Sequence, residues 1–140
     1  MLETNTILHH IGFVVASISA VAEDFCRSMS ARWDGQLIYD PMQRVRLAFF
    51  TPADPRNPVF ELVEPAEPVS PVSNFLKKGG GLHHVCYEVD DMESSLRTAR
   101  EAGLVIVALP KPAVAFGGRR ISWISSRNRL LMELLERRTG

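Results

Sequence analysis

Two stretches of this chain read almost alike: Leu8-His9-His10-Ile11-Gly12-Phe13-Val14-Val15 and Leu82-His83-His84-Val85-Cys86-Tyr87-Glu88-Val89. The second begins 74 residues after the first, about half of the 140-residue length away. An internal repeat constrains the architecture before any single element does. The residues after each copy repeat their pattern as well. A helical pattern comes next, and later Val-Phe-Glu-Leu-Val-Glu (Val59 to Glu64) in one half and Leu-Met-Glu-Leu-Leu-Glu (Leu131 to Glu136) in the other. From His10 to Glu61 is 51 positions and from His84 to Glu133 is 49. A chain of this size supports one ordinary domain and not two independent cores. The expectation is therefore one domain of two half-domains, 7–64 and 82–136, joined by a linker over 65–81.

Each half reads as strand, helix, three strands. In the first, Ile11, Phe13 and Val15 alternate with His10, Gly12 and Val14, the period of a strand. Ser17 is placed to cap a helix running to about Met29, whose Ile18, Val21, Ala22, Phe25 and Met29 form one apolar stripe. That stripe is expected to cover the Ile11/Phe13/Val15 face and to leave the His10 face for something else. Strands are expected at Gln36 to Tyr39, Arg44 to Phe50 and Val59 to Glu64, with proline-rich turns between. The linker has three prolines in Glu64 to Pro71, then a short helix opened by Ser70-Pro71 and ended at Gly79. In the second half, Leu82 to Val89 is a strand. Asp90 with Glu93 has the spacing of a capping box for a helix to Ala102. Leu104 to Leu109 is a strand, Lys111 to Phe116 a loop, and Arg120 to Ser125 with Leu130 to Leu135 a hairpin.

Bulk properties exclude several functions. Equal numbers of basic and acidic residues, 16 each, leave no formal net charge. The chain therefore shows no basic footprint for nucleic acid and no pull toward anionic membranes. No apolar run nears the roughly 18 residues of a membrane span, and no signal-peptide pattern opens the chain. Cys26 and Cys86 read as small hydrophobes in a helix and a strand. A cytoplasmic, reduced protein is the expectation.

His10, Glu61, His84 and Glu133 occupy matched strand positions. If the halves are related by a pseudo-twofold axis, the faces turned away from the helices bring these four side chains together. Two imidazoles and two carboxylates suit one divalent ion such as Co, Ni, Zn, Mn or Fe. Four protein ligands leave open octahedral positions, as a Lewis-acid catalyst requires. A lone strand histidine is usually a hydrogen-bonded polar residue, and a lone strand glutamate usually faces solvent. The same pair written twice at the same spacing is what favours the metal site. His9 and His83 point to the opposite face and are expected to pack or to support.

These residues resemble the vicinal oxygen chelate (glyoxalase-fold) superfamily, and within it most of all the methylmalonyl-CoA epimerases. The densest part is Phe75 to Asp91, with a Gly-x-His-His-hydrophobe strand opening at Gly81 to Val85 and the Val89-Asp90-Asp91 helix start. The resemblance implies an α+β fold, two βαβββ half-domains forming a curved sheet around one metal site, with His10, Glu61, His84 and Glu133 as ligands. It implies proton abstraction α to a carbonyl, epimerising or isomerising an acyl-CoA thioester such as methylmalonyl-CoA, with Glu133 as the base and Glu61 second. Some epimerases carry a further acid/base glutamate where this chain has Arg46, which is never a base near neutral pH. Arg46 is instead a candidate for a substrate carboxylate or phosphate. Gly117, Gly118 and Arg119 lie where the family closes over its substrate.

Other readings stand beside this one. Glu61, where epimerases often have Gln, resembles bacterial glyoxalase I, a lyase acting on a thiol hemithioacetal. A non-catalytic small-molecule-binding module fits the fold but is disfavoured by four intact ligand candidates. A ring-cleaving dioxygenase, with two His and one Glu, is disfavoured further. Many single-chain members of this fold dimerise, so a homodimer is expected.

Overall fold

The computed structural model describes residues 5–138. The chain divides into two compact units. One is His10–His83, and the other runs from His84 onward together with the segment up to His9. The segment 65–81 groups with the first unit.

The first unit holds β1 (Ile7–Val14), which begins just ahead of it, then α1 (Ile18–Met29), β2 (Ala31–Arg32), β3 (Ile38–Asp40), β4 (Val45–Pro52), β5 (Val59–Pro65) and α2 (Ser73–Lys77). The last long strand returns beside the first: β5 lies parallel to β1 on one side and antiparallel to β4 on the other. β2 and β3 both pair with β4. The two-residue β2 was not expected, so this half has one strand more than the βαβββ pattern. α1 begins where expected, the Ser17 hydroxyl accepting from Ala20 N at 3.3 Å. It ends at Ser30, whose N–H still bonds the Cys26 carbonyl and whose left-handed backbone (φ 49°) turns the chain out of the helix. Its stripe buries Ile18 and Ala22 against Ala48, Phe50 and Leu62, with Phe13, Phe25, Phe60 and Trp33 packed around them. Burying each of the larger of these side chains is worth about 1.5–3 kcal/mol.

The second unit repeats the plan with β6 (Gly81–Val89), which starts just before it, α3 (Met92–Glu101), β7 (Val105–Pro112), a 3-10 turn (Val114–Phe116), β8 (Arg120–Ser125) and β9 (Leu131–Glu136). Again the last strand returns parallel beside the first, β9 on β6, with β8 antiparallel on its other side and β7 outermost. The core beneath α3 is Val89, Met92, Leu96, Ala99, Ile124 and Leu134. The helix cap falls one residue later than expected. Asp91 accepts from Ser94 N at 3.0 Å, while Asp90 binds the Arg137 guanidinium. Each unit is therefore built as strand, helix and antiparallel strands closing back in parallel. Among the described residues no helix is long and apolar enough to cross a membrane.

Candidate metal centre

In the first unit, Gly12 on β1 stands opposite Glu61 on β5. His10 is two residues earlier, so its side chain shares a face with Glu61 on the diagonal of the parallel pair. In the second unit Cys86 on β6 stands opposite Glu133 on β9, and His84 takes the same diagonal place. All four side chains are buried: His10 0%, Glu61 5%, His84 4% and Glu133 3% exposed.

His10 Nε2 lies 3.6 Å from Glu61 Oε1, and His84 Nε2 lies 3.8 Å from Glu133 Oε1. Both separations exceed a good hydrogen bond. Two donors each about 2.1 Å from one ion lie roughly 3.0 Å apart at a right angle and up to about 4.2 Å apart at wider angles. The chemistry and spacing of each pair therefore fit two adjacent ligands of a divalent cation. A buried carboxylate costs several kcal/mol unless its charge is compensated, and a cation between each His and Glu would provide that compensation.

The sequence reading missed the aromatic side chains behind the histidines. Phe49 on β4 stands opposite Glu61, and its ring meets the His10 imidazole with centroids 5.8 Å apart. Trp123 on β8 stands opposite Glu133 and meets the His84 imidazole at 4.8 Å, the planes at 81°. An aromatic residue 12 positions before the first glutamate and 10 before the second was the available signal.

Each candidate ligand glutamate is followed three residues later by another, Glu64 and Glu136, and an odd step along a strand turns the side chain to the opposite face. Glu64 Oε1 accepts from Ile18 N at 2.8 Å. Its Oε2 accepts from Arg46 Nε at 3.0 Å, and Arg46 also donates to the Pro65 carbonyl. Arg46 thus lies opposite Glu64 and not Glu61. In the second unit Arg120 takes the matching place, bonding both oxygens of Glu136 and pairing with Glu93. The Arg120 bonds, against a smaller effect of burial, hold the Glu136 carboxyl below the usual range. Arg120 in turn is held above its ordinary value by Glu136 and Glu93.

Arg119 donates to Glu88 Oε2 at 3.0 Å and to the Glu136 carbonyl, with its guanidinium 5.7 Å from the Phe116 ring centroid. Arg137 donates to the other Glu88 oxygen at 3.1 Å. Burial alone would raise the Glu88 carboxyl, but Arg119 and Arg137 pull it below the usual range. Gly117 and Gly118 have φ of 63° and 87°, and a Cβ on either would meet nothing within 4 Å. Their turn is an open one. His9 packs edge-on to Phe116 at 5.5 Å, and His83 edge-on to Phe75 at 4.8 Å, consistent with packing roles. Cys86 is fully buried and Cys26 half-buried, and neither is in a disulfide among the described residues.

Residues 9–123 match the family model of the glyoxalase/bleomycin resistance protein/dioxygenase superfamily. An ethylmalonyl-CoA/methylmalonyl-CoA epimerase of Cereibacter sphaeroides is 29% identical over 131 residues, covering 91% of this chain and 95% of that protein. A hypothetical protein of Bacillus halodurans superposes with TM-score 0.84 at 27% identity, over 98% of each chain. The methylmalonyl-CoA epimerase of Mycobacterium tuberculosis superposes with TM-score 0.81 at 24% identity, over 99% of this chain and 94% of that one.

Proposed function

The chain belongs to the glyoxalase/bleomycin resistance protein/dioxygenase superfamily, and we propose that it is an epimerase of an acyl-CoA thioester, methylmalonyl-CoA or a close relative. The similarity to an ethylmalonyl-CoA/methylmalonyl-CoA epimerase along nearly the whole of both chains supports this. The observation that carries it is the buried His–Glu pair on parallel strands, present once in each unit. We propose further that His10, Glu61, His84 and Glu133 together hold one divalent ion (Co, Ni, Zn, Mn or Fe).

When bound, such an ion supplies a Lewis acid for the thioester carbonyl oxygen. The chain supplies the rest. Glu133, with Glu61 second, accepts the α-proton: the Cα–H bond breaks, its electron pair moves toward the carbonyl, and the proton passes to a carboxylate oxygen. Delivery of a proton to the opposite face inverts the centre. Arg46 has no basic form near neutral pH, so the acid/base work falls to these two carboxylates. Arg119, fixed by Glu88, would meet a substrate carboxylate or phosphate as an oriented cation beside the Gly117-Gly118 turn, whose own N–H groups are taken by the Val114 and Ala113 carbonyls. Arg46, bound to Glu64 on the face turned away from Glu61, is not placed for that role.

Incubation of metal-loaded protein with methylmalonyl-CoA in D₂O tests the reading by NMR. Deuterium entering the α-position supports it; no exchange over a panel of acyl-CoAs sinks it. Glu61 favours a second reading, a glyoxalase I-like lyase, for which the assay is loss of methylglyoxal with a thiol in the presence of nickel or zinc.

A homodimer is also proposed. The outermost strand β7 exposes Val105, Val107 and Leu109 at 60%, 58% and 62%, a row of apolar side chains on an unpaired edge. Light scattering giving twice the chain mass would bear this out, and a monomer at high concentration would end it.

A further inference from the structure

The proposed ligand histidines share a feature that no ligand requires. Each imidazole meets the ring of an aromatic side chain, and in both units that side chain comes from the strand on the far side of the glutamate. Phe49 stands opposite Glu61 and edge-on to His10; Trp123 stands opposite Glu133 and edge-on to His84. The fold has therefore built the same three-strand arrangement twice, histidine, glutamate, aromatic. The second torsion of a histidine side chain is broad and soft, so the ring plane is set by what the imidazole packs against. His10 is fully buried and His84 is 4% exposed, leaving little water to interfere. An edge-to-face partner stops the imidazole from swinging its nitrogen away from the glutamate oxygen beside it.

We propose that Phe49 and Trp123 are positioning residues, each holding its histidine in the orientation that binds the ion, and that Trp123 lies close enough to the ion to report its arrival. The inference rests on the reading that His10, Glu61, His84 and Glu133 hold a divalent ion. An edge-to-face ring contact of this kind is expected to account for about 2–10-fold in affinity.

Cobalt(II) binding to wild type, W123L, W123F and F49L decides the matter, measured by titration calorimetry and by the visible spectrum of the bound cobalt. W123L and F49L are expected to bind about 2–10-fold more weakly with an altered cobalt spectrum, while W123F, which restores an aromatic face, returns most of the affinity. Leucine fills space without offering a ring edge or face, so a purely volumetric role would leave W123L and W123F alike. F49L asks the same question in the other unit, so a variant that does not fold leaves the other to decide. The other indole, Trp33, is bonded to the Gln36 carbonyl and stacked on Phe50. In a W33F background, cobalt is expected to quench the remaining Trp123 emission. Wild-type affinity in both leucine variants, or bound cobalt with unquenched Trp123, overturns the inference and leaves the metal site standing. A wild-type protein that takes up no cobalt, nickel or zinc removes both.

Discussion

The Glu64 carboxylate accepts the backbone N–H of Ile18 at 2.8 Å, tying the start of α1 to the end of β5 across 46 positions of sequence. The same carboxylate takes the Arg46 guanidinium on its other oxygen. One buried group thus satisfies an orphan donor at a helix N-terminus, meets its favourable dipole, and neutralises a cation. Because Glu64 faces away from Glu61, its role is separable from the proposed metal chemistry.

Replacing Glu64 by Ala is expected to cost about 2–4 kcal/mol, since it strands a buried N–H and removes the partner of Arg46. Arg46→Ala should cost less, because the arginine side chain is 39% exposed and its pairing is weakened by solvent. Urea unfolding of both variants measures the difference. Equal midpoints for E64A and wild type would contradict the assignment.

Gly80 has φ of 66°, and a Cβ there would lie 2.6 Å from the Val14 carbonyl oxygen. Gly80→Ala therefore combines left-handed strain, roughly 1–2 kcal/mol, with a backbone clash. Gly35 has φ of 85° but open space around its Cβ, so Gly35→Ala carries only the strain. Thermal unfolding should show G80A the lower of the two by several degrees; a G35A protein that melts first would be evidence against this reading of the turn.

The carboxyls of Glu88 and Glu136 are held below their usual range by arginine hydrogen bonds. A depressed carboxyl contributes stability that is fully present above its unfolded value, near 4.5, and is lost as pH falls through the lower folded value. Unfolding free energy is expected to be level in this contribution above about pH 5 and to fall below it. In Glu88→Gln the fall should be shallower, measured by urea titrations at stepped pH. An unchanged slope would mean that Glu88 does not contribute in this way.

Much of the fold was legible because the chain repeats itself. The His-His strand, the capped helix and the Glu-bearing strand recur at nearly equal spacing, and all six elements lie where the pattern placed them, within a residue or two. What escaped was decided between elements. β7 runs on to Pro112 through Pro110, two residues that argue against a central strand but are tolerated on the outermost one. Asp90 has the spacing of a cap, yet Arg137 claims it and Asp91 takes over. The partners of Arg46 and Arg119 depend on register and on the course of a loop, which one sequence does not display. The aromatic residues beside the histidines were hidden for the same reason: offsets of 12 and 10 look unrelated until the strands are paired.

If Glu133 is the base, Glu133→Gln should reduce α-proton exchange by about 10²–10⁴-fold while methylmalonyl-CoA still binds. Glu61→Gln should cost less, in keeping with its second place. Single-turnover exchange in D₂O, with the thioester's Kd measured separately, distinguishes a lost base from lost binding. Full exchange by E133Q would move the base elsewhere.

Metal content measured on wild type, H10A/E61Q and H84A/E133Q is the most direct check on whether both halves serve one cation. One ion per chain in the wild type, and loss of at least about 100-fold in affinity in either double variant, is expected if all four side chains share it. Two ions per chain, or wild-type affinity retained after one half's pair is removed, would show that the halves do not act together.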